Sequence, residues 1–313
     1  MRYLGFLAAL ILLANCMPAP IKAAAMADSD FVIEDIGNGI YVHHGKHLDI
    51  DVGYQGDICN ISFVVGSKGV AVIDTGGSFK TGTLLRNAIK KVTDKPILYV
   101  INTHVHPDHI FGNAAFNQDK PQFVGHEKLA TAMQLRKEAY DKLNIKYMGD
   151  DAKGSEIVKP TIQVKEPIDL DLGDRKLTIT PYPTAHTNTD ISVIDSKTST
   201  LFTGDLLFIE RTPVLEGDIK GLIEAIDTLK TYPVKQVVPG HGPFTKDWVQ
   251  ALNNEQRYLN ALLTDIRANI KAGKSMGDAM DTAAAGEKQK WLLFDIANRR
   301  NVNTLYPALE FED

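Results

Sequence analysis

Hydrophobic and polar positions follow two different periods along this chain. Short apolar runs such as Ile97–Ile101 are bounded by glycine, proline or charged residues, which is typical of buried strands. Between them, segments such as Leu84–Val92 place apolar residues three to four positions apart, which indicates helices with one buried face. Strands interleaved with helices predict an α/β fold.

Turn signals between these segments divide the chain into predicted elements. We predict strands at Phe31–Ile36, Ile40–His44, Asn60–Gly66, Gly69–Asp74, Ile97–Ile101, Gln122–Val124, Pro167–Leu172, Arg175–Thr180, Asp190–Ile194, Thr200–Thr203 and Gln236–Val238. We predict helices over Leu84–Val92, His126–Leu143, Gly221–Leu229 and Lys246–Lys271, followed by a helical tail over 275–313. The polar stretches Gly45–Asp57 and Tyr147–Lys159 are predicted loops, and the first could cover a site as a flap. Its histidines, His43, His44 and His47, are expected to be solvated.

Composition and charge exclude some classes of protein. The 313 residues are 44% hydrophobic and 23% charged, as in a soluble globular protein with a large core. The formal net charge is −5 and no basic cluster occurs, which argues against a nucleic-acid binder. We therefore expect a small molecule as the partner, while the oligomeric state stays open.

The N-terminal residues have the features of an export signal. Arg2 precedes the apolar run Leu4–Leu13, which is too short to span a bilayer. Small residues then offer cleavage after Ala25 or Ala27, so we predict a signal peptide over residues 1–25, no transmembrane span and a periplasmic protein. A second interpretation treats the residues before Cys16 as a lipobox, which would make the protein a lipoprotein anchored at that cysteine.

A cluster of potential metal ligands fills the segment Thr103–His109, directly after a predicted buried strand. Alternate side chains of an extended segment share a face, so His104, His106 and Asp108 project together. His109 breaks this alternation and points elsewhere. Imidazole and carboxylate groups are preferred ligands of borderline divalent metals, and ligands pointing in two directions fit a two-metal site.

Three distant residues occupy equivalent places in the chain. His186, Asp205 and His241 each lie at the end of a predicted strand or in the loop that follows it. Loops at strand ends carry the chemistry of α/β folds. His241 stands between two glycines, which allow the backbone to approach an ion closely.

The series His104, His106, Asp108, His109, His186, Asp205 and His241, in this order, resembles the ligand motifs of the metallo-β-lactamase superfamily. The resemblance extends over residues 31 to 271. The resemblance implies a four-layer αββα sandwich over 29–272, with a C-terminal helical extension over 273–313 packed on the same domain. Within the superfamily, the chain resembles the SoxH-like group, also called quinoprotein relay system zinc metallohydrolases. That narrower resemblance rests on Gly56-Asp57-x-x-Asn60, the run Asn102–Asn113, Gly204–Phe208, Arg211-x-Pro213 and Arg300-Asn301-Val302.

The resemblance also implies a role for each ligand. His104, His106 and His186 would hold a first metal ion, and Asp108, His109 and His241 a second, with Asp205 bridging both. Two zinc ions are the expected cofactors, although iron or manganese would suit the same ligands. Asp108 would also orient a metal-bound hydroxide.

Four further residues are candidates for supporting the site or lining its pocket. Asp74 ends a buried strand, and a buried carboxylate needs partners, so we expect it, with Thr103 and Thr187, to support the ligands. Arg211 could meet an anionic substrate or could form a surface ion pair.

The chemistry expected of such a centre is hydrolysis of an ester, thioester or related acyl bond, possibly beside a sulfur- or quinoprotein-linked oxidation system. A hydroxide shared by two zinc ions would attack the carbonyl carbon. A β-lactamase is one alternative, but dedicated lactamases of the superfamily generally lack the bridging aspartate. An iron-dependent redox or sulfur enzyme of the same fold is another.

Overall fold

The computed structural model describes residues 31–51 and 54–312. The predicted signal peptide, with Cys16, lies outside these residues. The strands are β1 (Glu34–Gly37), β2 (Ile40–His43), β3 (Ile61–Val65), β4 (Val70–Ile73), β5 (Ile97–Ile101), β6 (Gln122–His126), β7 (Ile162–Val164), β8 (Ile168–Asp171), β9 (Lys176–Pro181), β10 (Ile191–Asp195), β11 (Thr200–Phe208) and β12 (Gln236–His241). The α-helices are α1 (Phe79–Val92), α2 (Pro107–Ile110), α3 (Leu129–Met148), α4 (Ile219–Lys230), α5 (Trp248–Lys271), α6 (Met276–Thr282) and α7 (Phe294–Glu310).

The strands form two sheets. The first contains β1 to β7 in chain order, antiparallel up to β4 and parallel from β4 to β7. The second has the order β12-β11-β10-β9-β8, and only β11 and β12 are parallel. Ligand sites of α/β proteins lie beyond the carboxyl ends of parallel strands, which here are the ends of β4, β5 and β12.

Three apolar clusters separate four layers. Residues from both sheets, among them Ile101 and Phe202, form the cluster between the sheets. The outer face of the first sheet packs on α1 through Leu85 and Ile89. The outer face of the second sheet packs on α4, α5 and α7. The predicted αββα sandwich is therefore confirmed.

Several element bounds differ from the prediction. The strand predicted at Thr200–Thr203 continues as β11 to Phe208, because Gly204 and Phe208 pair with Pro239 and His241 of β12 instead of the strand ending at the glycine. The helix predicted from His126 begins at Leu129, since His126 ends β6 and accepts a hydrogen bond from Lys128 N at 3.0 Å. The predicted loop Tyr147–Lys159 begins inside α3 and contains a 3₁₀ turn, and β7 was not predicted.

The loop between β2 and β3 is anchored at both ends. His43 was expected to be solvated, but it is 3% exposed and its Nε2 lies 2.6 Å from Asp57 Oδ1. Phe31 stacks on its ring, which excludes water from that pair. Farther along the loop, Asp49 forms a two-point ion pair with Arg300 of α7. The loop is thereby tied to the C-terminal helix.

The C-terminal helices pack on α5. Apolar side chains of α7, such as Val302 and Leu305, are buried against the domain. Tyr258 of α5 donates a hydrogen bond to Asn298 Oδ1 at 3.0 Å. Within the residues described here, the longest apolar stretches of the helices fall short of what a membrane-spanning helix requires.

Candidate metal centre

The segment after β5 is shaped by a single proline. His106 keeps an extended backbone (φ −66°, ψ 149°), and Pro107 opens the one-turn helix α2 at its first position, where a missing N–H costs nothing. The chain therefore turns from strand-like to helical between His106 and His109. This change of backbone makes His104 and His106 face one side while Asp108 and His109 face another. The prediction that Asp108 projects with His104 and His106 is therefore wrong, because the helical turn that begins at Pro107 interrupts the extended alternation.

One group of side chains surrounds a small space between the sheets. His106 Nδ1 lies 3.1 Å from His104 Nε2 and 2.9 Å from His186 Nε2. Asp205 Oδ2 lies 3.3 Å from His186 Nε2 and 3.7 Å from His104 Nε2. These four side chains could hold a metal ion. Nitrogens of a tetrahedral zinc site stand about 3.3 Å apart, given Zn–N bonds near 2.0 Å.

A second group adjoins the first and shares Asp205. His241 Nε2 lies 3.2 Å from Asp205 Oδ2, and His109 Nε2 lies 3.2 Å from Asp205 Oδ1. Asp108 Oδ2 is 3.5 Å from both of these imidazole nitrogens. The two oxygens of Asp205 thus reach both groups, which is the arrangement that a bridging carboxylate requires.

All five histidine rings are oriented by an oxygen on their outer side. The outer contacts are His104 Nδ1 to Thr103 Oγ1 at 3.1 Å, His106 Nε2 to Glu216 Oε2 at 2.8 Å, His109 Nδ1 to Asp74 Oδ2 at 2.8 Å, His186 Nδ1 to Val214 O at 2.7 Å and His241 Nδ1 to Ile58 O at 2.7 Å. A neutral ring that donates through its outer nitrogen leaves the inner one as an acceptor. Rings in this neutral state would present five acceptor nitrogens beside two carboxylates, as metal ligation requires.

Asp74 organises the network beneath these ligands. Its Oδ1 accepts from Thr103 N at 2.8 Å, and its Oδ2 accepts from Thr103 Oγ1 at 2.7 Å and from His109 Nδ1. Asp74 has a left-handed backbone conformation (φ 56°), which is uncommon for a residue with a side chain. Backbone strain of this kind is concentrated at functional sites. The carboxylate and Thr103 are both buried and both contact ligand rings, as expected of supporting residues.

The electrostatics of the site fit a cation. Burial lowers the pKa of His104 well below its ordinary value and that of His186 to about 3, so both rings are neutral and suited to ligation. Burial also opposes ionisation of Asp205, but the surrounding histidines hold its pKa well below the usual range. His109 Nε2 and Asp205 Oδ1 are buried without a hydrogen-bond partner, and a shared metal ion would satisfy both.

Two predicted pocket residues lie farther from the centre. Thr187 bonds to Asp190 and Thr189 within its own turn, and so it shapes the loop that carries His186 without contacting a ligand ring. Arg211 is only 5% exposed, and its Nη1 lies 3.4 Å from His241 Nδ1. Among the described residues no carboxylate oxygen lies within 4.0 Å of its guanidinium nitrogens. The surface ion pair considered for Arg211 is therefore wrong.

Cys59 also borders the second group. It is buried, and its Sγ donates to the backbone oxygen of Asp108 at 2.8 Å. Burial raises the pKa of this thiol well above its ordinary value, whereas a metal ligand or nucleophile must be a thiolate. Cys59 therefore packs behind Asp108 as a neutral group.

Two supports of the site were not found in the sequence. The carboxylate of Glu216 accepts hydrogen bonds from His106 and Arg136, and these contacts lower the pKa of its carboxyl. Asn301 of α7 bonds the backbone on either side of Val214, whose oxygen orients His186. A carboxylate after an apolar run was a weak signal for Glu216. Asn301 belongs to the Arg300-Asn301-Val302 run that carries the narrower resemblance, but no local pattern predicts its role, because its partners lie 86 and 88 positions away.

Comparison with known proteins identifies the family. The model of the metallo-beta-lactamase superfamily matches residues 54–241, more than half of the chain. The acyl-coenzyme A thioesterase MBLAC2 of Homo sapiens is 26% identical over 231 residues, covering 66% of this chain and 80% of that relative. A metallo-beta-lactamase from Pontibacter korlensis matches with a TM-score of 0.60 and 21% identity over 74% of this chain and 99% of its own. The stereoselective inverting sec-alkylsulfatase Pisa1 from Pseudomonas sp. matches with a TM-score of 0.69 and 16% identity, over 90% of this chain and 51% of its own. The chain belongs to the metallo-beta-lactamase superfamily.

Proposed function

We propose that this metal-dependent hydrolase binds two zinc ions and cleaves an acyl bond in an ester or thioester. The observation that carries the proposal is the set of five histidine rings, each held by an outer oxygen, around the shared carboxylate of Asp205. His104, His106 and His186 would hold the first ion, and Asp108, His109 and His241 the second. Nitrogen and oxygen donors in this number are typical of zinc.

The residues around the centre define the reaction. When bound, two zinc ions supply a hydroxide at neutral pH and polarise the carbonyl under attack. Asp108 has one oxygen near the second group, and its carboxylate is placed to orient the attacking oxygen and to hold its proton. Cys59, which borders the second group, is a buried neutral thiol that donates to the backbone oxygen of Asp108, so direct attack by water is the simplest route.

The substrate class is inferred from the reaction centre and from the relatives. A bridging aspartate suits acyl hydrolysis in general, and one relative carries the name of an acyl-coenzyme A thioesterase. The buried guanidinium of Arg211 beside His241 favours a substrate with a negative charge near the bond that is cleaved, because a buried cation needs an opposite charge.

The decisive experiment combines metal analysis with a substrate panel. Purified protein should hold close to two zinc ions per chain, and it should hydrolyse acyl thioesters or esters faster than β-lactams. Asp108→Ala and His241→Ala should each lose the second ion and most of the turnover. Asp94→Ala is a matched control, since this exposed aspartate lies at the other end of β5. Full activity with one ion, or efficient hydrolysis of nitrocefin, would refute the proposal.

Export to the periplasm is the second part of the proposal. Arg2, the apolar run Leu4–Leu13 and the small residues up to Ala27 support a cleaved signal. The intact mass of the protein from a cell envelope fraction should correspond to a chain that starts at residue 26 or 28. A chain that starts at a lipid-modified Cys16 would support the lipoprotein, and an uncleaved chain would exclude export through this signal.

A further inference from the structure

A cavity of about 530 Å³ opens beside His106, between the segment that follows Arg211 and the C-terminal helix α7. Its size is that of an ordinary small-molecule site. We propose that this cavity, called the acyl pocket below, binds the hydrocarbon chain of an acyl substrate. The inference rests on the proposed function, because it names the part of the substrate that extends away from the metal centre.

The walls of the acyl pocket are mainly apolar. Val214 and Leu215 form one side, and Met280 of α6 and Ile296 of α7 form the other. Ile296 is 40% exposed although it faces a concave surface, and Val214 and Met280 are half-buried. An apolar chain bound here would cover these side chains and remove them from water.

The cations at the rim of the pocket already have partners. Arg300 forms its two-point pair with Asp49, and Arg299 is paired with Asp281. Their charge is therefore compensated without a ligand. With the two charges compensated, the exposed hydrocarbon of Val214, Met280 and Ile296 favours an apolar occupant over an anionic one.

The pocket is continuous with the metal centre through one residue. His106 lines the cavity with its outer side, where Nε2 meets Glu216, while its Nδ1 faces His104 and His186. His106 is thus the residue that the pocket shares with the first group of ligands, and the proposal places the carbonyl end of the chain beside it. The carbonyl of an acyl thioester would be delivered there, and the leaving group would point away from α7.

The C-terminal extension supplies one wall of the acyl pocket, because one side of α7 lines the cavity while the other packs on the domain. Ile296, Arg300 and Thr304 follow one another at intervals of four residues and line the cavity, as residues on one side of a helix do. Other residues of α7, including Asn301 and Leu305, are buried against the domain. The wall formed by Met280 and α7 therefore lies outside residues 54–241, the part of the chain that the family model matches, whereas Val214 and Leu215 lie within it.

Chain-length dependence of the zinc-loaded enzyme tests the pocket. Each buried methylene raises affinity by up to roughly fourfold, so kcat/KM should rise from acetyl to octanoyl thioesters. Ile296→Trp should fill the pocket and lower kcat/KM for the octanoyl thioester at least tenfold while changing the acetyl value less than twofold. Val249→Trp is the matched control, because Val249 has a similar exposure on α5 and does not line the cavity. Retention of the octanoyl preference in Ile296→Trp would overturn the proposal.

A binding measurement separates the pocket from the hydrolase activity. Octanoate should bind the metal-free protein in isothermal titration calorimetry, and Ile296→Trp should weaken that binding at least tenfold while Val249→Trp leaves it unchanged. If no acyl thioester is cleaved but octanoate binds in this pattern, the acyl pocket stands and the proposed function fails. If octanoate binds neither the wild-type protein nor Ile296→Trp, or binds these two equally, the acyl pocket is wrong whatever the enzyme hydrolyses.

Discussion

Two buried polar side chains hold the metal centre from the two halves of the molecule, and they do so in different ways. Asp74, at the end of β4 in the first sheet, bonds directly to the ring of His109 and to Thr103. Asn301, on α7 behind the second sheet, bonds Leu215 N at 3.0 Å and Pro213 O at 2.7 Å. Between those two partners, Val214 O orients the ring of His186.

The difference lies in charge and in distance from the ligand. Asp74 is a buried anion whose loss would leave a ligand ring and a backbone N–H without partners, and such losses are costly. Asn301 is neutral and acts through one stretch of backbone, so its loss would allow that stretch to shift without uncovering a charge. We therefore expect the contribution of Asp74 to be large for both folding and metal binding, and that of Asn301 to be smaller and confined to the first metal ion.

Replacement of Asp74 should give the largest effect. Asp74→Ala should weaken binding of the second metal ion by about 10- to 100-fold and destabilise the metal-free protein by roughly 3–5 kcal/mol. Metal titration and urea unfolding measure the two quantities. Asp195→Ala is a matched control, since Asp195 forms a fully buried two-point pair with Arg175 away from the centre. The control should lose stability but keep two ions, and an equal loss of metal in both variants would show that Asp74 has only a structural role.

Replacement of Asn301 tests the second support. Asn301→Leu keeps the volume but removes the bonds to Leu215 and Pro213, so the ring of His186 loses its fixed acceptor. The affinity for the first metal ion should fall by about tenfold, the lower limit for outer-shell partners. Cobalt-substituted protein should show the altered ligand geometry in its absorption spectrum.

The control for this variant is a neighbour on the same helix. Asn298 is buried like Asn301. It accepts a hydrogen bond from Tyr258 and donates one to Ala283 O, so it does not contact the backbone around Val214. Asn298→Leu should destabilise the protein to a similar extent and leave both metal ions and the cobalt spectrum unchanged. If the two variants behave alike, α7 contributes to folding only.

Glu216 extends the comparison to the exposed edge of the site. Its side chain is 40% exposed, so solvent screens the electrostatic interaction between its carboxylate and His106 and weakens it. Glu216→Ala should weaken binding of the first ion by less than tenfold, with little change in the free energy of unfolding. Glu216→Gln, which keeps an acceptor for His106, should retain most of the affinity. An effect as large as that of Asp74→Ala would show that burial does not set the order.

The contrast between Asp74 and Asn301 also shows what the sequence can predict. Asp74 was found because a carboxylate at the end of an apolar run must be buried and must have partners, and both conditions are local. The candidate ligands from His104 to His241 were found for the same reason, since each follows or ends a strand. The extension of β11 through Asp205 was missed, because a glycine and an aspartate are the usual signs of a turn and only pairing with β12 overrides them.

Asn301 and the acyl pocket lie beyond local prediction. An asparagine inside an amphipathic helix has the same pattern whether it faces water or a backbone 86 positions away. The pocket arises where four separate segments meet, those that carry His106, Val214, Met280 and Ile296, and no local pattern predicts that they do. Arg211 could be marked as a candidate, but its burial without a carboxylate depends on distant contacts, a backbone bridge to Leu292 and the ring of His241. Packing between distant segments is what periodicity does not encode.

The smallest effect concerns the attachment of the C-terminal extension itself. Burial works to raise the pKa of Glu287, but hydrogen bonds from Arg257, Lys290 and Trp291 lower it to about 2. Because the pKa of the folded state is below the ordinary value of 4.5, this carboxylate stabilises the fold above pH 4.5, and the contribution is lost as the pH falls towards 2. Arg257 is 41% exposed, so screening limits the contribution to about 1 kcal/mol. Urea unfolding of metal-free wild type and Glu287→Gln should differ by this amount at pH 6 and by less at pH 3. A constant difference would mean that Asn301 and its apolar neighbours, and not this ion pair, hold the extension against α5.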